Sequence, residues 1–553
     1  MVRSSVLIAC SCVAWLLAPS PGHAFCGFYV AGADDRLVSE ATMVVLMRQG
    51  TRTVLSMRND YHGPPEDFAM VVPVPEVLEE DQVRVLPAEV FARVERLAAP
   101  RLVEYWEQDP CPEPGSGSGF GTIGLGNIGT IGHGAGGGAR ANAPLVTVEA
   151  EFAVGEYDIQ ILSARDSAGL ESWLRANDYR IPAGAAELLR PYVEADSKFF
   201  VAKVNAARVT FADGRAVLSP LRVDYQAETF SLPVRLGLLS SGGTQDLLVH
   251  VLADDQRYEL ANYENVTIPT NLEVSDETRA RFGEMYAALF DATLAAHPGA
   301  VVTEYAWPAA NCDPCPGNPL DAKDLLTLGG DVVVSEPVRM RAPAGRRRRA
   351  QPGPFARYVL TRLHYRYDEE SLGEDLVFRE AAPIAGGREH LADETGTGAI
   401  PAPQNAFQGR YIIRHPWEGA ITCEAPQRGR WGGPPSGAQS APTAVMDPAR
   451  GARGDATTLS ALVKTAFDAS AAGATPAAGA ESSASSAPPT AGAGARPTTG
   501  AGARPTTGAG ARPTTGAGAP DGAGGCGCRT SPGQSASAAL WLLAIGALLR
   551  RRR

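Results

Sequence analysis

Cys312-Asp313-Pro314-Cys315 is the sharpest chemical signal in the chain. Two cysteines two residues apart, with proline before the second, form the pattern of thiol–disulfide exchange sites, where a helix N-terminus stabilises the first thiolate. Here Pro316, Gly317 and Pro319 follow at once and keep a helix from starting at that point, and the strand-like Val301 to Ala306 is the supporting context. Three readings stay open: a structural cystine, a redox pair, or half of a zinc site lacking a second CxxC in the ectodomain. The structural cystine is the expectation. Cys26, Cys111 and Cys423 complete an odd set, for which two disulfides and one leftover thiol is the simplest arrangement, with no deducible connectivity.

The remaining candidates are weaker. Gly124-Leu125-Gly126-Asn127-Ile128-Gly129 spells a dinucleotide-binding fingerprint, but no strand feeds it and no helix opens from it, so the match is ascribed to chance in a Gly-rich loop. His62, His250, His364 and His415 stand singly, without a HExxH motif, and read as surface or internally bonded histidines. Asp34-Asp35 and Glu79-Glu80-Asp81 lack the spaced ligands of a calcium loop and read as solvated faces. Arg346 to Arg349, beside Pro352 and Pro354, reads as an exposed loop. No catalytic residue, metal site or cofactor is expected. Exposed Trp106, Trp417 or Trp431 would allow a glycan ligand to stack. With 50 Lys and Arg against 61 Asp and Glu, a net charge of -11 gives no support to nucleic-acid binding.

The elements that must position these residues are mostly strands. Thr42 to Met47 and Thr51 to Arg58 flank Gln49-Gly50 as a hairpin would, and Phe68 to Val74 is an apolar run with prolines at its end. Val146 to Phe152 and Tyr157 to Ile161 alternate apolar with polar, as half-buried antiparallel strands do. Further strands are expected at Phe199 to Val204, Arg208 to Ala212, Leu232 to Leu239, Asp246 to Leu252, Val301 to Ala306, Arg357 to Tyr367, Leu376 to Arg379 and Arg410 to Arg414. Helices are expected at Pro87 to Leu97, Asp166 to Ala176, Ala185 to Val193 and Ser275 to His297. The fold class is therefore α+β, β-rich, with mainly antiparallel sheets and a few packed helices, followed by a disordered stalk.

Residues 1–24 read as a signal peptide, with Arg3, an apolar stretch and small residues Gly22 and Ala24 before a cleavage at Phe25. Leu7-Ile8-Ala9-Cys10 has the letters of a lipoprotein box, but the apolar segment ahead of it is short. The ectodomain is residues 25–431, with a Gly-rich insertion at 115–141. Residues 432–525 are Ala, Gly, Pro and Thr-rich, with an eight-residue repeat starting at Ala495, Ala503 and Ala511, and a helical-looking island at Thr458 to Ser470. This composition reads as a stalk reaching on the order of 50 to 60 Å. Residues 526–553 join Cys526 and Cys528 to an apolar run, Ala538 to Leu549, and Arg550 to Arg553.

That tail resembles the myxobacterial C-terminal sorting signal (MYXO-CTERM). The resemblance implies removal of the tail by a sorting protease, modification near Cys526 or Cys528, and display at the cell surface; a plain C-terminal membrane anchor is the alternative. Five blocks of the ectodomain resemble the bacterial domain-of-unknown-function 2330 family. They are Phe25 to Val30, Asn59 to Pro64, Phe68 to Pro75, Tyr105 to Cys111, and Cys312 to Cys315. The resemblance runs through most of 25–330 and continues over 358–431, and it implies an exported, envelope-associated domain with no functional residues to carry over. The expected function is a structural or interaction role at the bacterial surface, with an unknown protein or glycan ligand. An envelope redox protein using Cys312 and Cys315 is the alternative.

Overall fold

The hairpin expected around Gln49-Gly50 forms. β1 (Thr42–Gln49) and β2 (Arg52–Arg58) pair antiparallel through a turn in which Gly50 takes a φ of 56°, a backbone region open to glycine. The computed structural model describes residues 28–30, 42–58, 69–111, 145–177, 179, 181, 184–212, 215–240, 243–334, 355–387, 396–434, 444–445, 453–467 and 469–471. All lie within one unit, Met1–Glu481; the second unit, Ser482–Arg553, falls outside the described residues.

Along the chain follow β3 (Ala69–Val74), α1 (Ala88–Ala98), β4 (Arg101–Glu107), β5 (Val146–Val154), β6 (Tyr157–Ala164), α2 (Ser167–Ala176), α3 (Ala185–Glu194) and β7 (Lys198–Val204). Then come β8 (Leu221–Gln226), β9 (Gln245–Asp254), α4 (Thr278–Ala296), β10 (Val301–Pro308), β11 (Tyr358–Tyr367), β12 (Arg410–His415) and α5 (Ala456–Leu462). The start of α2 is set as its sequence implies: the Asp166 carboxylate accepts from the Gly169 amide, so an end-group donor is satisfied. Pro73 stays inside β3 because the short strand Phe28–Val30 reaches only Ala69 to Val71, leaving Pro73 with a single ladder partner strand.

Three of the sheets form the frame. An antiparallel five-stranded sheet runs Phe28–Val30, β3, β7, β6, β5. One face carries α2 and α3, through Leu170, Leu174, Leu189 and Tyr192 against Val71, Phe199 and Val201. Its other face packs through Met70, Val72, Tyr157, Ile159 and Phe200 on Val44, Leu55, Val249 and Leu363 of an eleven-stranded sheet. The core of that larger sheet is β10, β11, β9, β1, β2, β8, and its far face meets α1 and α4. Antiparallel pairs predominate, but β9 joins β1 in parallel, as does β12 with β4 in the third sheet. The α+β class thus holds, with parallel seams where strands from distant parts of the chain meet.

Two sequence expectations are corrected. Leu232 to Leu239 is not a strand: extended pairing covers Ser231–Leu232 alone, and Arg235–Ser240 is a 3₁₀ turn, because Pro233 has no N–H to continue a ladder. The fold also passes Trp431 into the segment read as stalk. Asp455 caps α5, and Leu459 and Leu462 are buried with Phe282, Met285 and Leu289 of α4. At Gly454 a Cβ would lie 2.2 Å from the Ala288 nitrogen, so this close crossing needs glycine. The helix overlaps the island expected at Thr458 to Ser470, and its partner in α4 is what composition does not name. The rest of the 432–525 segment lies outside the described residues, apart from 432–434, 444–445, 453–467 and 469–471.

Between α4 and the large sheet lies a buried charge network. Arg362, His364 and Arg366 alternate along β11 and so share one face. His364 places Nδ1 2.8 Å from Glu304 Oε1 of β10 and Nε2 3.2 Å from Asp246 Oδ1 of β9. Arg362 Nε donates to Glu304 at 2.5 Å, Arg366 holds Asp246 at 2.6 and 2.9 Å, and Tyr286 and Asp291 of α4 contact Glu304 and Arg366. Phe290 stacks on the imidazole, with centroids 3.9 Å apart, and Arg453 lies beside Asp291. Burial disfavours the His364 imidazolium, but Glu304 and Asp246 outweigh it and raise the pKa above 6.5. Burial likewise pushes Glu304 up, yet Arg362 and His364 hold it at about 2; Asp246 is held well below its usual 3.8 by His364 and Arg366.

These directions fix a pH window. The carboxylate contribution is complete above the unfolded values of 3.8 and 4.5, and the imidazolium contribution is complete below 6.5. Stability to urea is expected to fall as pH rises through the raised His364 pKa, and His364→Gln to flatten that alkaline decline. Leu462→Ala is expected to lower the unfolding free energy by about 2–5 kcal/mol in the same assay.

Candidate functional site

The CxxC loop sits against two buried arginines. β4 begins at Arg101 and β12 at Arg410, and the parallel register sets these residues directly opposite each other, both at 0% exposure. Like charges so placed repel, and each has been taken from water. Relief comes from the loop that follows β10. Asn311 accepts from the Cys312 amide at 2.7 Å, and the next two carbonyls turn inward. Arg101 Nη1 donates to the Pro314 oxygen at 2.7 Å and Nη2 to the Leu97 oxygen; Arg410 Nη2 donates to the Asp313 oxygen, which also accepts from Gln408 Nε2 at 2.6 Å. Arg410 Nη1 reaches the Tyr105 hydroxyl at 3.2 Å, and the Arg101 guanidinium lies 5.6 Å from the centre of the Tyr305 ring. Burial lowers the pKa of Arg101, and Arg410 lowers it further; burial also pushes Tyr105 and Tyr305 up to about 12.

The opposite ends of the same two strands are also tied. Past β4, Cys111 forms a disulfide with Cys423, which lies beyond β12. Glu107 anchors the intervening turn: its carboxylate accepts from Arg428 Nε and Nη2 at 2.8 Å each, from the Trp417 amide at 3.0 Å and from the Gly429 amide at 2.8 Å. Burial would raise its pKa, but these donors outweigh it and hold the carboxyl below its usual value. On the other strand face, Glu104 meets Arg279 of α4 at 2.9 and 2.7 Å and His415 at 2.7 Å. The β4–β12 seam is therefore bracketed, with Cys312–Cys315 at one end and Cys111–Cys423 at the other.

The sulfurs of the CxxC pair differ in access. Cys312 is 8% exposed and packs with Leu97, Trp307, Ala309 and Leu320, whereas Cys315 is exposed. Helix begins again only at Ala322, capped by Asp321, so no helix dipole acts on either cysteine. An incoming thiolate meets Cys315 and must expel Cys312 as a thiolate into apolar surroundings, where its pKa is high and its departure slow. Beside the loop, a cleft of about 260 Å³ is lined by Arg93 and Arg96 of α1 and by Pro316 to Asn318. Arg93 is engaged there by Asp324 at 2.7 Å.

The tryptophans do not form one platform. Trp431 is paired opposite Glu107 and Trp106 is its strand neighbour, so the two rings lie on opposite faces of β4. Trp106 stacks on His415 at 4.8 Å, Arg414 lies 5.1 Å from the Trp431 ring, and Trp417 lies against Gly419. Among the described residues no cluster of three or more His, Cys, Asp or Glu is placed to hold a metal, and no helix is long and apolar enough to cross a membrane. Cys26, Cys526, Cys528, the Gly124 to Gly129 motif, His62 and Arg346 to Arg349 lie outside the described residues. Sequence reading passed over Arg101, Arg410 and Glu107; the available signal was charge placed within otherwise apolar strands, as in Arg101-Leu102-Val103-Glu104 and Arg410-Tyr411-Ile412-Ile413.

Over residues 20–379 the chain matches the model of a family described as an uncharacterized protein conserved in bacteria, DUF2330. The chain belongs to the DUF2330 family. No curated protein and no solved structure matches it. The DUF2330 span contains Cys111, Cys312, Cys315 and Arg101, but it stops short of Arg410 and Cys423, which complete the bracket.

Loop length separates the two disulfides of this DUF2330 member. Cys111–Cys423 spans 312 residues, and closing so long a loop restricts the unfolded chain by about 6 kcal/mol in the chain-entropy account, against about 2 kcal/mol for the three-residue spacing of Cys312–Cys315. Cys111→Ser/Cys423→Ser is therefore expected to lose about 2–5 kcal/mol in denaturant unfolding, and more than the chain-entropy share of the CxxC bond.

Proposed function

We propose that this DUF2330 member is an exported, disulfide-braced domain displayed at the bacterial cell surface, with a structural or interaction role and no catalysis. The observation that carries the reading is the Cys111–Cys423 disulfide, which joins two distant chain segments beside a buried carboxylate clamp. Such bonds persist in oxidising compartments. The leader at 1–24, the stalk-like composition and the sorting-type tail support the same address. The proposed partners are a sorting protease acting near Cys526 and Cys528, the envelope membrane, and a protein or glycan ligand. The tryptophans Trp106 and Trp431, partly exposed but set on opposite faces of β4, give a joint sugar-stacking platform no support.

A second reading, thiol–disulfide exchange at Cys312 and Cys315, is favoured by the exposure of residue Cys315. Weighing against it are the missing helix N-terminus and the apolar site of the leaving sulfur. Peptide mapping of protein taken from its own cells, with thiols blocked before lysis, is expected to find both disulfides formed. Free, blocked Cys312 and Cys315 would move the exchange reading ahead. Deleting residues 525–553 is expected to release the protein into the medium, and continued retention at the surface would count against the sorting claim.

A further inference from the structure

We infer that the Cys312–Cys315 disulfide is a conformational lock on the Arg101–Arg410 pair, closed in the oxidised protein and opened by a dithiol reductant. The inference rests on the oxidised, exported state proposed above and adds a task for this bond within it. A bond spanning three residues restricts the unfolded chain little, so its effect must be sought in the loop it shapes. That loop turns the carbonyls of its two inner residues onto two opposed, fully buried guanidinium groups. The recipients are in register at the start of a parallel strand pair, where the Arg101 amide also bonds the Gly409 oxygen at 3.0 Å. When the loop loosens, its two carbonyl dipoles move away, and Arg101 keeps the Leu97 carbonyl and Arg410 the Tyr105 hydroxyl, too few acceptors for two adjacent buried cations. The seam then opens from that end, while Cys111–Cys423 and the Glu107 clamp still hold the other.

The opening step balances. One thiolate of the dithiol attacks Sγ of Cys315, the exposed residue of the pair, the Cys312–Cys315 bond breaks, and Cys312 leaves as a thiolate that takes a proton from water. The second thiol of the reductant, giving up its proton to solvent, attacks the mixed disulfide and expels Cys315, which is protonated in turn. Two electrons and two protons pass to the protein, and the reductant departs as its own disulfide. Because Cys312 must leave from an apolar cluster, the lock is closed by default.

Hydrogen–deuterium exchange on the full chain tests this. In Cys312→Ser/Cys315→Ser, exchange at 101–103 and 410–412 is expected to quicken by about tenfold or more, with 42–58 and 245–254 unchanged. In Cys111→Ser/Cys423→Ser the faster exchange is expected instead at the far end of the seam, 105–111 and 414–431. Unchanged exchange at 101–103 and 410–412 in the first variant overturns the inference, and so does a uniform rise across the sheets, which would make the bond a general staple. If the first variant does not fold, dithiothreitol added to folded Cys111→Ser/Cys423→Ser opens the lock without a substitution there and is read at the same positions. Arg410→Met, which removes one of the opposed cations, is expected to make 101–103 indifferent to the state of the disulfide; a persisting response overturns the arginine link. Thiol mapping of native protein keeps the outcomes apart: free Cys312 and Cys315 would defeat the oxidised-state reading, whereas an intact bond with unresponsive strands defeats the lock alone.

Discussion

Two guanidinium groups side by side, with no exposure to water, are the constraint around which the third sheet is arranged. Taking one cation from water costs several kcal/mol even after relaxation, and a second beside it adds repulsion. Apolar packing offers no remedy. What does is a set of fixed dipoles: the Asp313, Pro314 and Leu97 carbonyls, with a tyrosine ring beneath Arg101. The path of the chain after β10 is therefore tied to the two strands it serves, although they lie some two hundred residues before it and about a hundred after.

The same solution recurs through the interior. Arg222 of β8 is held by the Thr327 carbonyl and Asp331, Arg257 by the Ala382 carbonyl and Glu259, and Arg48 by Thr51, Ala227 and Glu228 carbonyls. Arginine suits this task because its planar fork carries five donors that satisfy several acceptors at once. Most of these contacts span strands or turns from different parts of the chain, whereas Arg257 meets Glu259 within its own strand and Arg48 closes its own hairpin. A core braced in this way is defined by direction as well as by volume, since a carbonyl that is turned aside leaves a charge without its acceptor.

Elements with a regular apolar period were legible in the sequence. The β1–β2 hairpin, the alternation of β5 and β6, the capped α2 and the striped α4 all form where their residues imply. β8 was not, because its charged residues at alternating positions resemble a solvated face, and neither was β4, because Arg101, Glu104 and Glu107 fall on both faces and break the apolar period. In fact the polar side of β8 is covered by the turn at Leu326–Gly330, and the Glu104 face of β4 by α4. Parallel seams were invisible for another reason: the partners of β1 and β4 lie hundreds of residues away, and no local pattern names them. At the site, the CxxC signal was plain, whereas the arginines it serves carry no motif and become meaningful only once register places them together.

The neighbours of β4 bear on where the family's folded unit ends. They are β12 on one side and Trp431–Gly432 and Ala444–Val445 on the other, and all three lie beyond residue 379, where the family match stops. A chain ended at that residue would carry β4 as a lone strand, its backbone donors and acceptors bare along both edges and open to pairing with other chains. The family span and the cooperative unit are thus different lengths of the same polypeptide, and the last hundred residues of the fold act as an edge protector for a strand laid down near its beginning.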